Sequence, residues 1–155
     1  MLKARLATIK DKAQLLAWAN DKEIRRRSFM TRRITIIEHD KWFTNVLADQ
    51  DNHRLFIIEN RDTSPCGQVR FSRTERNNWE IHFSMASHYR GQKLGVKLIC
   101  AGLDVFLGEG NKSRITAKVK NDNAASLMVL ATAGFQIEKK SASNDSETRL
   151  VYIPK

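Results

Sequence analysis

Two adjoining stretches carry residue types that can do chemistry. In the first, Glu80, His82 and Ser84 alternate with Ile81, Phe83 and Met85, the period of a strand with one polar and one apolar face. Glu80 and His82 are candidate general bases: a carboxylate takes a proton directly or through a water, and imidazole has the better intrinsic pKa for work near neutrality. Upstream, Gln68, Arg70 and Ser72 oppose Val69 and Phe71 in the same way. Arg70 can bind a phosphate or a sugar hydroxyl, or simply pair with Glu80. The two strands together form either a polar cleft inside a helix-covered sheet, which is the favoured reading, or a hairpin with one wet face.

The second stretch, Ser87-His88-Tyr89-Arg90-Gly91-Gln92-Lys93-Leu94-Gly95-Val96, joins the end of that strand to a long segment of helical period. Backbone N–H groups at a helix start lack intrahelical partners, and the dipole there favours negative charge. Glycines let the backbone close on a ligand, and Arg90 and Lys93 add charge. Physically this is a phosphate cradle. The same residues also suit an ordinary strand-to-helix turn whose glycines serve packing.

The elements that must position these residues follow from the pattern. Residues 2–9 read as a strand, and Asp11 as the cap of a helix with Leu15, Leu16, Trp18 and Ala19 on one face. Asn20-Asp21 interrupts that helix before a short turn over 23–27. Thr35 and Glu38 have capping-box spacing and open a helix over 35–49. Strands follow over 54–59, 68–73 and 79–86, with Arg76-Asn77-Asn78 as a hairpin turn. A helix spans 92–107 and ends at Gly108 and Gly110, then a strand covers 115–119. Asn123 caps a helix reaching Ala133, with Gly134 just past its end, and strands over 135–139 and 148–153 close the chain. The order β-α-α-β-β-β-α-β-α-β-β predicts an α/β fold with a sheet of mixed direction.

The length of 155 residues suits one domain over 1–155. No apolar run approaches the ~20 residues of a membrane span, and the N-terminus lacks a signal peptide's apolar stretch. Two cysteines without metal spacing point away from a disulfide scaffold or a zinc site, so a cytoplasmic, metal-free protein is expected. The net charge of +10 implies an anionic partner: nucleic acid, a membrane surface or a phosphorylated ligand. No helix-turn-helix, zinc finger or aromatic RNA-binding motif accompanies that charge, which disfavours a nucleic-acid module.

With these residues in view, the chain resembles the GNAT acyltransferase superfamily over nearly its full length. The family signature, Arg or Gln, two residues, Gly, one residue, then Gly or Ala, is met at Arg90 and Gly95, while Lys93 stands in place of its middle glycine. The helix from Asn123-Ala124-Ala125-Ser126 to Ala133-Gly134-Phe135 resembles the family helix beside the pantetheine arm. The resemblance implies a mixed, mostly antiparallel sheet of about seven strands flanked by about four helices. It also implies an N-acetyltransferase using acetyl-CoA, held by Met85, Ala86, Arg90, Gly91, Gln92, Lys93, Leu94, Gly95, Val96, Asn123 and Ser126. Transfer would be direct, through a tetrahedral intermediate. A strand bulge would turn the Met85 and Ala86 N–H groups toward the acetyl carbonyl. Glu80 resembles the family's acidic residue and ranks first as base, ahead of His82. The tyrosine that many relatives aim at the thiolate is replaced by Leu130, so an acid, if used, would come from Ser84, Ser126 or the substrate.

A narrower resemblance concerns the acceptor. Trp18-Ala19-Asn20-Asp21, Arg25, Ser28-Phe29, His39 with Trp42-Phe43, and Gly67-Gln68-Val69-Arg70-Phe71 resemble the N-acetyltransferases of pseudaminic-acid biosynthesis, which acetylate the 4-amino group of a UDP-linked dideoxy sugar. It implies a nucleotide-sugar substrate bound by Trp18, Asn20, Arg25, His39 and Arg70. Acetylation of a protein N-terminus, such as a ribosomal protein's, is the second reading. Cationic antibiotics fit a basic chain poorly.

Overall fold

The computed structural model describes residues 1–75, 77–140 and 147–155. Its elements are β1 (Lys3–Leu6), α1 (Lys12–Ala19), α2 (Lys22–Arg27), α3 (Ile36–Ala48), β2 (His53–Glu59), β3 (Pro65–Glu75), β4 (Asn78–Met85), α4 (Gly95–Gly108), β5 (Arg114–Lys120), α5 (Ala124–Thr132), β6 (Gln136–Lys140) and β7 (Glu147–Tyr152). The seven strands form one sheet in the order β1-β2-β3-β4-β5-β7-β6. Every neighbouring pair is antiparallel except β4 with β5. Five helices flank it, one more than expected, because the short turn after Asn20-Asp21 is helical. No helix among the described residues is long and apolar enough to cross a membrane.

Two apolar clusters separate the faces of the sheet. On one, the α4 stripe Leu98, Ile99, Leu103 and Phe106 packs on Phe56, Val69, Phe71, Trp79 and Ile81, with the Phe71 and Phe106 rings stacked at 4.0 Å. On the other, Leu15 and Trp18 of α1 and Phe43 and Val46 of α3 cover Leu55 and Ile57. Residues 55 to 58 of β2 are therefore all buried, as a strand covered on both faces requires. Helix α3 begins where the capping box places it: the Thr35 hydroxyl accepts from the Glu38 N–H while the Glu38 carboxylate accepts from the Thr35 N–H.

Other boundaries differ for local reasons. Asp11 does not cap α1; Thr8 caps a 3₁₀ turn over Ile9–Asp11, and both Asp11 carboxylate oxygens accept from Arg5 at 2.8 Å. Helix α4 starts at Gly95 rather than at 92, because Gly91 (φ +77°) and Lys93 (φ +59°) are left-handed and break any helical run before it. It runs through Gly108, and the left-handed residue beyond it is Gly110. Strand β1 stops at Leu6 and β3 extends to Glu75. Of the expected hairpin turn, residue 76 lies outside the described residues.

Candidate active site

The parallel pair makes the site. β4 and β5 are in register only at Asn78–Arg114, Trp79–Ile115 and Glu80–Thr116. Beyond Glu80 each follows its other neighbour, β4 staying on β3 as far as Met85 and β5 on β7 as far as Lys120. A gap opens between the two edges. The Ala86 N–H donates to the Cys66 carbonyl at 2.8 Å, and hydrogen-bonded pairs alternate along an antiparallel ladder. Glu80, His82 and Ser84 thus spend their N–H groups on β3, while those of Phe83 and Met85 point into the gap. This corrects the expected donor pair: Met85 faces the gap and Ala86 does not. Nor is there a bulge at this end of β4; its register with β3 shifts only between Arg73 and Glu75, at the opposite end.

The polar stripe faces α1–α3 across a cavity of about 760 Å³. Gln68, Arg70, Glu80, His82 and Ser84 line its floor, Trp18, His39 and Trp42 its wall, and Lys118, Lys120, Asn123 and Ser126 its far side. The cleft reading is thus the one the helices enforce. His82 Nε2 lies 2.9 Å from Glu80 Oε1, and Lys118 Nζ lies 3.8 Å from Glu80 Oε2. The hydrogen bond from His82 holds Glu80 below the usual carboxylate range, against the opposing effect of burial. Burial in turn pulls His82 below the ordinary imidazole value, while the bond to Glu80 opposes it. Near neutrality the pair is an anionic carboxylate beside a neutral imidazole whose Nε2 carries the hydrogen. The Ser84 hydroxyl accepts from Gln68 Nε2 at 3.1 Å.

Arg70 makes no ion pair among the described residues. Its guanidinium sits 5.1 Å from the Trp42 ring centre and 3.4 Å from the Ser72 hydroxyl. Burial pulls it down to about 10, with Glu80 as the opposing charge. His39 is buried against the rings of Trp42 and Phe43, and its Nδ1 has no partner among the described residues. Two expected acceptor contacts are structural instead. The Asn20 amide exchanges two hydrogen bonds with the backbone of Ile34, at 2.9 and 2.8 Å, and stands outside the cavity. Arg25 lines the cavity but spends its guanidinium on the carbonyls of Ala19, Met30 and Arg32 and on the Ser28 hydroxyl.

The turn after β4 has the makings of the cradle, with one reassignment. The first intrahelical bond of α4 runs from Leu98 N–H to Leu94, and Leu94 offers no side-chain cap. The N–H groups of Gly95, Val96 and Lys97 are therefore without intrahelical partners. A Cβ on Gly95 would stand 3.0 Å from Val129 of α5, so this glycine serves helix packing as well. Arg90 is not a free cation: Nε donates to the Met85 carbonyl at 3.1 Å and Nη2 to Asp21 at 2.7 Å. Gln92 donates to the His88 carbonyl, and Lys93 is exposed. Asn123 caps α5 through the Ser126 N–H, at 3.2 Å, and also accepts from Arg27. The Arg90–Asp21 and Arg27–Asn123 contacts join residues far apart in sequence, and the sequence offers no sign of either pairing.

A sequence profile described as an acetyltransferase (GNAT) domain matches residues 2–136. The chain belongs to the GNAT acetyltransferase family. This GNAT protein is an N-acetyltransferase. No curated protein matches it by sequence. The fold is shared with spermidine N-acetyltransferase from Vibrio cholerae, solved with CoA and spermine, at 17% identity and TM-score 0.86 over 98% of this chain and 95% of that one. The aminoglycoside acetyltransferase AAC(6')-Ib, solved with coenzyme A, matches at 19% identity and TM-score 0.81 over 99% and 95%. A putative phosphinothricin N-acetyltransferase matches at 18% and 0.82 over 100% and 99%. The residues of this GNAT site suit a thioester with a pyrophosphate: a gap between parallel strands with inward N–H groups, leading from the cavity to an uncapped helix start.

Proposed function

We propose that the enzyme acetylates a primary amine on a small acceptor that carries an anionic group, with the 4-amino group of a UDP-linked amino-dideoxy sugar as the leading case. Arg70 carries this reading: a half-buried guanidinium 5.1 Å from the Trp42 ring centre, with no carboxylate partner among the described residues, is a site prepared for a ligand's anion. Arg27, Lys118 and Lys120 line the same cavity, against Glu38, Glu80 and Glu147; Arg27 pairs with Glu23 and Lys118 with Glu80, while Glu38 is held by Arg32 and Glu80 also by His82. A polycation such as a polyamine would meet like charge there.

Acetyl-CoA supplies the acetyl group as an activated thioester. The protein's part is to remove a proton from the amine and to offer donors to the developing oxyanion. In this reading His82 takes the proton at Nδ1, since Nε2–H is committed to Glu80, and Glu80 fixes the tautomer and steadies the imidazolium. That reverses the expected ranking of the two. The Met85 N–H serves as the oxyanion donor, the amides of Gly95, Val96 and Lys97 with Lys93 receive the pyrophosphate, and Asn123 and Ser126 flank the pantetheine arm.

The test is thiol release from acetyl-CoA against a panel holding a UDP-amino sugar, spermidine, kanamycin and a basic peptide. Turnover of the UDP-amino sugar, with UDP competing against it and leaving acetyl-CoA binding nearly unchanged, is expected. Efficient turnover of spermidine, kanamycin or the peptide without inhibition by UDP overturns the anionic acceptor.

A further inference from the structure

Helix α2 has an unusual support. None of its six residues is buried, and polar contacts hold it, among them those of Arg25 with the carbonyls of Ala19, Met30 and Arg32. Yet α2 and the segment after it supply Ile24, Arg25, Arg27, Phe29, Met30 and Ile34 to the cavity. Polar anchors hold it at both ends. At its start, Asp21 Oδ1 caps the helix by accepting from the N–H groups of Glu23 and Ile24, and the same oxygen accepts from Arg90 Nη2 at 2.7 Å. At its end, Arg27 donates to Asn123 at 3.2 Å. Both anchor points lie on the cofactor side of the gap, one in the turn before α4 and the other at the start of α5.

We propose that Asp21 is a positioning residue that ties the acceptor wall, residues 22–34, to the phosphate turn, so that acetyl-CoA bound at the turn orders the wall. The inference rests on the assignment of the turn to acetyl-CoA. The turn is the adjustable partner, because it holds two left-handed residues, Gly91 and Lys93, and several free amides. A pyrophosphate bridging those amides immobilises the turn, and Arg90 with it. Arg90 is further braced by its bond to the Met85 carbonyl. A surface helix without buried residues then gains order at its start from that guanidinium, beyond what Arg25 and Arg27 already supply, and the acceptor meets a firmer wall once the cofactor is in place. By reciprocity, an ordered wall strengthens cofactor binding by the same factor.

Hydrogen exchange read by mass spectrometry, with and without saturating acetyl-CoA, tests this without knowledge of the acceptor. In the wild-type protein acetyl-CoA should slow exchange both at 91–97 and at 22–34, the latter on the order of tenfold. Asp21→Asn keeps a good helix cap but removes the charge that holds Arg90. It should retain protection at 91–97 and lose it at 22–34. Asp21→Glu should regain part of it, and Arg90→Gln should lose it from the other partner. Thermal melting of each variant checks that it is folded. Protection at 22–34 that persists in Asp21→Asn, or that is missing from the wild type while 91–97 is protected, overturns the inference alone. No protection at 91–97 overturns the cofactor assignment and the inference with it.

Discussion

His82 and Glu80, two residues apart on β4, face the cavity as one unit, with imidazole Nε2 2.9 Å from the carboxylate. In the proposed mechanism His82 is the member of this pair that titrates. A base works unprotonated, and burial lowers His82 from its ordinary 6.5, so the acid limb of kcat/KM should fall below pH 6.5. Were Glu80 the base, the limb would fall below 4.5, because His82 and the nearby cations lower its carboxyl further. Glu80→Gln removes the contact that raises His82, so the limb should move toward acid. Since the acceptor amine is the same in both proteins, the displacement reports the enzyme. His82→Gln should reduce kcat/KM by about 10²- to 10⁴-fold. A limb that Glu80→Gln leaves in place sinks the dyad.

Lys93 occupies a left-handed backbone position, φ +59°, where the family signature has glycine. That conformation costs a non-glycine residue about 1–2 kcal/mol. Lys93→Gly should therefore stabilise the fold by about 1 kcal/mol, a rise in Tm of about 2–4 °C. If the ammonium also reaches a phosphate, Lys93→Ala keeps the strain, raises KM for acetyl-CoA about tenfold and makes its salt dependence shallower. An unchanged KM in Lys93→Ala leaves the phosphate to the backbone amides.

The Arg70 guanidinium lies over the Trp42 ring, 5.1 Å from its centre, and its forked donors are what an ammonium cannot replace. Arg70→Lys should raise KM for the UDP-amino sugar about tenfold with a smaller effect on kcat, the pattern of lost uniform binding. A fall in kcat with KM unchanged would place Arg70 in the chemical step instead.

Gly67 lies where β3 passes the end of β4. A Cβ there would stand 2.3 Å from the Ser84 carbonyl oxygen and 2.7 Å from Leu98 Cδ1. The first contact is with backbone, which cannot turn aside as a side chain does. Gly67→Ala should destabilise by about 1–3 kcal/mol, measured by urea unfolding. It should also lower kcat, since Met85 is its partner in the ladder. A variant as stable as wild type would show that β3 and β4 part at little cost.

Much of this enzyme is legible in its sequence. Alternation at 80–85 is a property of one strand, the Thr35–Glu38 box of one turn, and the Asn123 cap of one helix end; neighbours along the chain determine each. The order of such elements, with the turn before Gly95, was enough to indicate the GNAT fold. What the chain order could not convey is how elements far apart share their charges. Asn20 and Arg25 have the chemistry of ligand contacts, and only the path of residues 28–34 shows their groups already taken by backbone. Arg90 reads as a phosphate cation until Asp21, 69 residues away, is seen to hold it. The choice between Met85 and Ala86 depends on ladder parity, set by where Cys66 falls opposite β4. The site itself depends on β4 and β5 parting after Glu80. That is a consequence of each strand keeping its longer antiparallel partner, and pairing between strands is a property of the whole sheet.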